Sequence, residues 1–377
     1  MNSPASDYQH EFPVNEQCVY LNHAAVAPWP LSASKAVAEF AMENAHRGAS
    51  DYPRWLTVEN RLRENLATLT GADRAEIALV KNTSEALSFV AYGIDWQPGD
   101  TVLISDEEFP SNRIVWESLQ NQGVIVREVS LSGDDPDAAL IAAIREGARL
   151  VSISAVQYAS GTRMNLNAIG AACRATDTLF CVDAIQTVGI NPFDVRACGC
   201  DFAMADGHKW LLGAEGLGFF YIRKPLINAL KLNEYGWHMV EKMGDYSTKE
   251  WQPASDARRF ECGSPNILAA HALEISTTLL LKLGMEQVED AVAANIRYLA
   301  TGLTQLGAEI LTPDHSLGRS GIISFRIPGQ DSTELYQKLM KAGVICAARG
   351  GGVRFSPHFH TPVSVLDRGL EILKGLI

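Results

Sequence analysis

The sequence predicts an α/β protein, with a large domain on a mostly parallel sheet covered by helices on both faces and a small C-terminal α+β domain. Between about residues 75 and 225, short apolar and β-branched runs alternate with helical segments. After a long helical stretch, roughly 267–283, a second and shorter series of helices and strands follows. Strands that are separated by helices pair in parallel, and the helices then cover both faces of the sheet.

The predicted strands of the large sheet are short and apolar. They cover residues 76–80, 101–104, 124–126, 150–153, 179–182, 202–204 and 218–222. The second unit is predicted from helices at 288–306, 332–342 and 362–376 and from strands at 321–325 and 353–356. We place the large domain at 20–280 and the small domain at 281–377. Residues 1–19 have no partner in the large sheet and are expected to pack near the small domain.

The composition argues against several classes of function. The 377 residues include 32 Lys and Arg against 44 Asp and Glu, a formal net charge of −12, and 47% of them are hydrophobic. An acidic chain without a basic stripe is not expected to bind nucleic acid or an anionic membrane. The N-terminus resembles no signal peptide, and His271, Glu274 and Lys282 interrupt the most apolar late stretch. We therefore predict a cytoplasmic protein.

The cysteines predict no disulfide framework and no metal site. There are seven, an odd number, and no pair has the spacing of zinc ligands. Reduced thiols in a cytosolic protein are the expected state.

Two charged residues follow apolar strands and indicate a cofactor. Lys209 ends the stretch 201–209, which has the pattern of a short apolar strand that runs into a turn, and Asp183 stands at the end of the apolar strand 179–182. A lysine can hold an aldehyde as a Schiff base, and a carboxylate can keep a pyridine nitrogen protonated. This pair suits pyridoxal 5′-phosphate, whose phenolic oxygen could accept a hydrogen bond from Gln186. A surface lysine and a helix-capping aspartate are the alternatives.

Two further segments could complete such a site. Thr83 and Ser84 begin a helix after a strand, where hydroxyls at the cap and backbone amides can hold a phosphate. Phe109 follows another strand and could lie flat on a cofactor ring. A plain helix cap and a buried loop phenylalanine are the alternatives for these segments.

The order of these segments resembles the class V aminotransferase family of PLP fold type I, which includes cysteine desulfurases, kynureninases and isopenicillin N epimerase. The resemblance covers nearly the whole chain, beginning with Y-L-N-H-A-A at residues 20–25. It implies that Lys209 forms the Schiff base, that Thr83, Ser84 and His208 contact the phosphate, and that Phe109 stacks on the ring. On the substrate side we assign Asn22, His23, Tyr158 and Arg354.

Two more implications of the resemblance concern the dimer and the substrate. The run R-F-E-C-G-S-P-N at 259–266 is similar to a family loop that reaches the neighbouring subunit's phosphate. A homodimer with Ser264 acting across the interface is therefore implied. Arg354 matches the family's clamp for a substrate carboxylate, a task that suits a bidentate guanidinium. A salt bridge within the small domain is the alternative for Arg354.

The chain departs from cysteine desulfurases at two positions. Between Arg349 and Arg354, where those enzymes carry a nucleophilic cysteine, the residues are Gly-Gly-Gly-Val, and Cys346 lies on the other side of Arg349. We therefore predict no persulfide relay. Asp206 stands where desulfurases have a phosphate-binding serine, and we expect it to turn away from the phosphate or to pair with a cation.

These residues predict a PLP-dependent enzyme that acts on an amino acid, either a transaminase or a C–S/β-elimination lyase. An epimerase on the same scaffold is an alternative, and so is a protein that binds the cofactor without catalysis. A nucleotide-dependent oxidoreductase is favoured only by the open α/β sheet.

Overall fold

The computed structural model describes residues 7–133, 135–247 and 249–377, and a seven-stranded sheet is the centre of this described chain. After a short first strand, β1 (Val19–Tyr20), its strands are β2 (Ile77–Val80), β3 (Thr101–Ser105), β4 (Ile125–Val129), β5 (Leu150–Ser154), β6 (Leu179–Asp183), β7 (Phe202–Asp206) and β8 (Gly218–Ile222). They lie in the order β2-β8-β7-β6-β5-β3-β4. Within the described sheet, β8 runs in the direction opposite to the other six strands. The mostly parallel sheet is confirmed.

Helices pack on both faces of this sheet. The helices of the described chain are α1 (Val14–Gln17), α2 (Leu31–Arg47), α3 (Tyr52–Thr70), α4 (Thr83–Gly93), α5 (Ser111–Glu117), α6 (Pro136–Arg145), α7 (Leu166–Ala175), α8 (Val195–Cys198), α9 (Ile267–Leu283), α10 (Met285–Gln305), α11 (Ser332–Lys341) and α12 (Val363–Lys374). Alternate residues of one strand enter different cores: Phe180 and Val182 belong to one buried cluster and Cys181 to the other. Because successive strand side chains point to opposite faces, an all-apolar strand indicates burial on both.

Strand direction sets the position of the site. β3, β5, β6 and β7 are parallel, and β2 has the same direction because β8 is antiparallel to both β2 and β7. Their carboxyl ends therefore meet at one edge of the sheet. Ligands of open α/β sheets bind at this edge.

The C-terminal unit has a small antiparallel sheet of its own. Its strands are β9 (Glu309–Ile310), β10 (Ile323–Arg326), β12 (Ala347–Arg349) and β13 (Gly352–Phe355), in the order β12-β13-β10-β9. β11 (Val344–Ile345) pairs instead with β1, in parallel. The sequence did not predict β9, β11 or β12, because two or three residues are too short for a periodic pattern.

The two units join at a sharp bend. α9 and α10 meet at 87° around Gly284, whose φ of +88° favours glycine. The predicted boundary near residue 280 falls inside α9. No single helix of the described residues is long and apolar enough to cross a membrane, and only this bent pair, taken together, meets the criteria of length and composition.

Candidate active site

A cavity of about 270 Å³ opens at the carboxyl edge of the large sheet. Ten residues singled out in the sequence line it: Thr83, Ser84, Phe109, Tyr158, Asp183, Gln186, Asp206, His208, Lys209 and Arg354. Asn22, His23 and Ser264 do not line it. Larger cavities of about 530, 560 and 730 Å³ contain neither Lys209 nor Asp183, so size alone does not identify the site.

Lys209 presents its amine inside this cavity. Its Nζ lies 5.6 Å from the centroid of the Phe109 ring. Burial lowers the pKa of Lys209 to about 8, with Arg354 and Arg349 acting in the same direction and Asp183 opposing them. An amine that is substantially neutral near pH 8 can act as a nucleophile and then as a base.

Asp183 is a buried carboxylate on the neighbouring strand. It is 2% exposed, and one of its oxygens accepts a hydrogen bond from the Ile185 amide at 3.0 Å. Burial raises the pKa of Asp183 to about 7, and the nearby charge of Glu108 adds to this shift. A cation placed against Asp183 would stabilise its charged form.

Gln186 is also buried, and most of its amide is already bonded. Its Oε1 accepts from Trp210 Nε1 at 2.7 Å, and its Nε2 donates to the Ala24 carbonyl at 3.0 Å. One N–H of Nε2 is left for a ligand. Its bond to a cofactor oxygen stays a prediction.

The start of α4 differs from the prediction. The N-cap is Asn82, whose side chain accepts from the Glu85 amide, so Thr83 and Ser84 are the first helical residues and not the caps. Ser84 Oγ donates to Ser111 Oγ at 2.9 Å. Asp206 does not turn away from the start of α4, because its Oδ1 accepts from both the backbone amide and the hydroxyl of Thr83; the alternative, a pairing with a cation, stays a prediction. Asp206 turns toward the helix N-terminus because two donors there stabilise a carboxylate.

Arg354 is a buried cation without an anion. It is 1% exposed, its Nη1 donates to the Tyr158 carbonyl at 2.5 Å, and its Nε has no hydrogen-bond partner. Burial, and then the charge of Arg349, lower the pKa of Arg354 to about 9. In the described residues no carboxylate lies within ion-pair distance of it, so the alternative of a salt bridge is not formed. A buried guanidinium that lines a cavity is suited to an anionic ligand.

Asn22 and His23, which were predicted on the substrate side, do not line the described cavity. His23 is fully buried; its Nδ1 donates to the Ser356 carbonyl at 2.9 Å, and its Nε2 lies 3.1 Å from His360 Nε2. The next residues, Ala24 and Ala25, line the cavity instead. His23 is thus directed away from the cavity, because the β1 segment turns inward to pair with the small domain, whereas the substrate-side role of Asn22 stays a prediction.

A histidine that the sequence did not assign supports the lysine segment. His358 is fully buried, and its Nε2 lies 3.1 Å from the carbonyl of Trp210, which follows Lys209. Its Nδ1 accepts from the Phe359 amide at 2.8 Å, so the proton of the neutral ring is on Nε2. The motif H-F-H after S-P was visible in the sequence, but nothing local showed that it would meet Trp210.

These histidines predict acid sensitivity. Burial lowers the pKa of His23 to about 4, against an ordinary 6.5. The unfolded chain therefore takes up this proton first, and stability is lost as the pH falls from 6.5 towards 4. We expect the free energy of unfolding of the wild type, relative to that of His23→Gln, to fall by roughly 2 kcal/mol between pH 7.5 and 5. Urea unfolding of both proteins at several pH values measures this change. A difference in the free energy of unfolding that stays constant with pH would contradict the prediction.

The loop that carries Ser264 is anchored by a buried ion-pair network. Arg63 of α3 bonds to Glu261 and, through Nη2 at 2.9 Å, to Glu59. Glu261 also accepts from the Leu79 amide of β2 at 2.8 Å. Ser264 itself is exposed. Its contact with a partner's phosphate stays a prediction.

A family model described as Aminotransferase class-V matches residues 19–361. The chain belongs to the class V aminotransferase family. Such proteins are PLP-dependent enzymes, so the predicted cofactor, enzyme class and fold type I are confirmed.

Three similar proteins illustrate the family. A probable cysteine desulfurase of Methanothermobacter thermautotrophicus is 30% identical over an alignment of 398 positions, which covers 98% of each chain. An uncharacterized aminotransferase of Bacillus subtilis, YcbU, is 27% identical over 97% of this chain and 96% of its own. A solved complex of the cystine C–S lyase C-DES with its reaction product, cysteine persulfide, has a TM-score of 0.90 at 23% identity, covering 96% of this chain and 99% of that chain. At that identity the solved complex shows the shared fold alone.

The residues of this class V chain fit the cofactor. Among the described residues the buried carboxylate of Asp183 forms no ion pair, and it suits a protonated ring nitrogen. Lys209 is a desolvated amine in the same cavity, and the Phe109 ring is beside it. The α4 N-terminus, with Ser84 and His208, is the end of the cavity that suits a phosphate.

Proposed function

We propose that the chain is a lyase that breaks the C–S bond of a cysteine-like amino acid by β-elimination, without a protein thiol as sulfur acceptor. One observation carries the proposal: the cavity that holds Lys209 and Arg354 has no cysteine among its described lining residues. The name of the Methanothermobacter relative, a probable cysteine desulfurase, supports a sulfur-containing substrate. Release of sulfide or a free persulfide then replaces transfer to a cysteine.

Cys346 is poorly suited to a sulfur relay. It is 2% exposed, between β11 and β12, and burial raises the pKa of its thiol to about 12. A thiol that is neutral at physiological pH and shielded from the cavity is a weak nucleophile.

In this proposal, different residues of the chain carry out different parts of the reaction. Pyridoxal phosphate, when bound, supplies a covalent attachment point for the substrate amine and a ring that withdraws electrons from its α carbon. Arg354 would hold the substrate carboxylate and so orient the α carbon. Lys209 Nζ would then remove the α proton. Asp183 would keep the ring nitrogen protonated, and Phe109 would cover one face of the site.

The assembly and setting are part of the same proposal. We infer a homodimer in the cytoplasm, in which the loop of Ser264 reaches the partner's phosphate. Its anchoring through Glu261 to Arg63 and Leu79 supports a rigid loop.

Transamination is the second candidate, supported by the similarity to the aminotransferase YcbU. It requires the α proton to be returned to the cofactor and a keto acid to take up the amine. The residues named above serve this reaction equally well.

A panel of amino acids, with and without a keto acid, tests the proposal. Elimination from cysteine or cystine would yield pyruvate, ammonia and sulfide or a persulfide, with no dependence on a keto acid. Keto-acid-dependent exchange without sulfur release would favour the transaminase, and α-proton exchange alone would favour an epimerase. A protein-bound persulfide that Cys346→Ser abolishes would refute the thiol-free route.

Arg354→Lys tests carboxylate binding. We expect KM for the amino acid to rise roughly 10- to 100-fold with a smaller change in kcat, because a lysine cannot reproduce the two-pronged contact. The methyl ester of the same amino acid is the control substrate, and its KM should change little. An equal change for both substrates would contradict the assignment.

A further inference from the structure

Asp206 brings a negative charge to the phosphate end of the cavity. It ends β7, is mostly buried, and its Oδ1 accepts from the amide and hydroxyl of Thr83. These are donors that a phosphate at the start of α4 would use. A carboxylate therefore competes with the phosphate for the same helix N-terminus.

His208 is the group next to this carboxylate. Its Nδ1 lies 3.5 Å from Asp206 Oδ2, and both side chains line the cavity. Burial, followed by the charge of Lys209, lowers the pKa of His208 to about 4. The imidazole is thus neutral beside Asp206 while no phosphate is bound.

Other charges that act on Asp206 come from three directions. Lys209 follows it on the β7 segment and favours the carboxylate form, whereas Glu215 on the loop before β8 disfavours it. Asp183, on β6, is also close enough to interact with Asp206. From α4 only Thr83 and Ser84, both uncharged, face the pair in the described cavity. Burial is the largest cause that raises the pKa of Asp206.

We propose that the Asp206–His208 pair takes up one proton when the cofactor's phosphate binds at the α4 N-terminus. The proton comes from solvent, no covalent bond changes, and the pair goes from a net charge of −1 to zero. It can then donate a hydrogen bond to a phosphate oxygen instead of repelling it. A neutral pair removes the conflict between two anions that share one helix N-terminus.

The consequence is a cofactor affinity that depends on pH. Where the free pair is deprotonated and the bound pair is protonated, one linked proton changes the affinity about tenfold per pH unit. Affinity falls as the pH rises, because the proton needed becomes scarcer. A serine at position 206 has no charge and should remove this dependence.

Binding of pyridoxamine 5′-phosphate to the cofactor-free full-length chain tests the proposal, because this probe does not bond covalently to Lys209. Dissociation constants are measured between pH 6.5 and 9 for the wild type, Asp206→Ser and Asp206→Asn. Asp183 and Lys209 both interact with Asp206 and also titrate, so the difference that counts is the one between variants that appears with pyridoxamine 5′-phosphate and not with pyridoxamine. Calorimetry in two buffers of different ionisation heat gives the protons taken up.

The expected result is that the wild type takes up about one proton more than either variant and that its affinity declines about tenfold more per pH unit. Pyridoxamine without the phosphate should show no difference between the three proteins. Equal proton uptake by wild type and variants would overturn the proposal, as would the same difference with pyridoxamine. Because only binding is measured, the result is independent of whether the chain proves to be a lyase or a transaminase.

Discussion

Replacing Lys209 with alanine is expected to abolish the visible absorbance of the purified enzyme and to lower turnover at least about a thousandfold. The reason is that the amine of Lys209 lies in the cavity with Asp183 and Arg354. In the proposed function, this amine would both capture the aldehyde of the cofactor and move the α proton. Burial lowers the pKa of Lys209 to about 8, so the rate of cofactor capture should rise with pH up to about 8 and then level off.

Lys231→Ala is the matched control for this experiment. Lys231 is 63% exposed and pairs with Asp95 on the surface, far from the cavity lining. It should keep both absorbance and turnover. Retention of the absorbance band in Lys209→Ala, or its loss in the control, would contradict the role of Lys209.

Arg63→Ala is expected to reduce the free energy of unfolding by about 3–5 kcal/mol. Arg63, Glu59 and Glu261 are each no more than 7% exposed, and Arg63 bonds to both glutamates. Removing the guanidinium leaves two buried carboxylates with no Lys or Arg within ion-pair distance among the described residues and only His238 beside Glu261. Since Glu261 also holds the Leu79 amide, the loop of Ser264 should loosen as well. Denaturant unfolding measures the first effect and amide hydrogen exchange of residues 257–266 the second.

Glu64→Ala is the control on the same helix. Glu64 is 58% exposed and its ion-pair partner Arg74 is 50% exposed, so the loss of this pair should cost about 1 kcal/mol or less. Combining Arg63→Met with Glu59→Gln and Glu261→Gln should recover part of the loss, because no unpaired charge is then buried. A decrease below about 1 kcal/mol in Arg63→Ala would show that the network contributes little to stability.

The large sheet could be predicted because each of its strands is locally distinct. The composition of a short apolar run, such as the one at 179–183, indicates a buried strand. The parallel arrangement follows from the helices between these runs. Lys209 and Asp183 could be predicted for the same reason, since each sits at the end of such a run. The two-residue strands β9 and β11 could not, because they exist only through their partners.

Two of the expectations for the site depended on the direction of a side chain, which the sequence did not reveal. Asp206 was expected to turn away from the phosphate or to pair with a cation, yet it bonds to Thr83, 123 positions away in the chain. His23 was assigned to the substrate, yet it points at His360 and Ser356. Both choices depend on partners supplied by distant segments, which a local pattern does not contain.

The sequence by itself determined the α/β class and the cofactor, and it identified Lys209 and Asp183 as the candidates to hold that cofactor, since strand composition and residue chemistry are local properties. Only the tertiary structure decided which polar groups share a hydrogen bond. Arg354 has no acidic partner in the described residues, His358 supports the Trp210 carbonyl, and Asp206 occupies the start of α4. Those outcomes depend on which long-range contacts satisfy each buried polar group, and the energy of such a group is set by its neighbours in space.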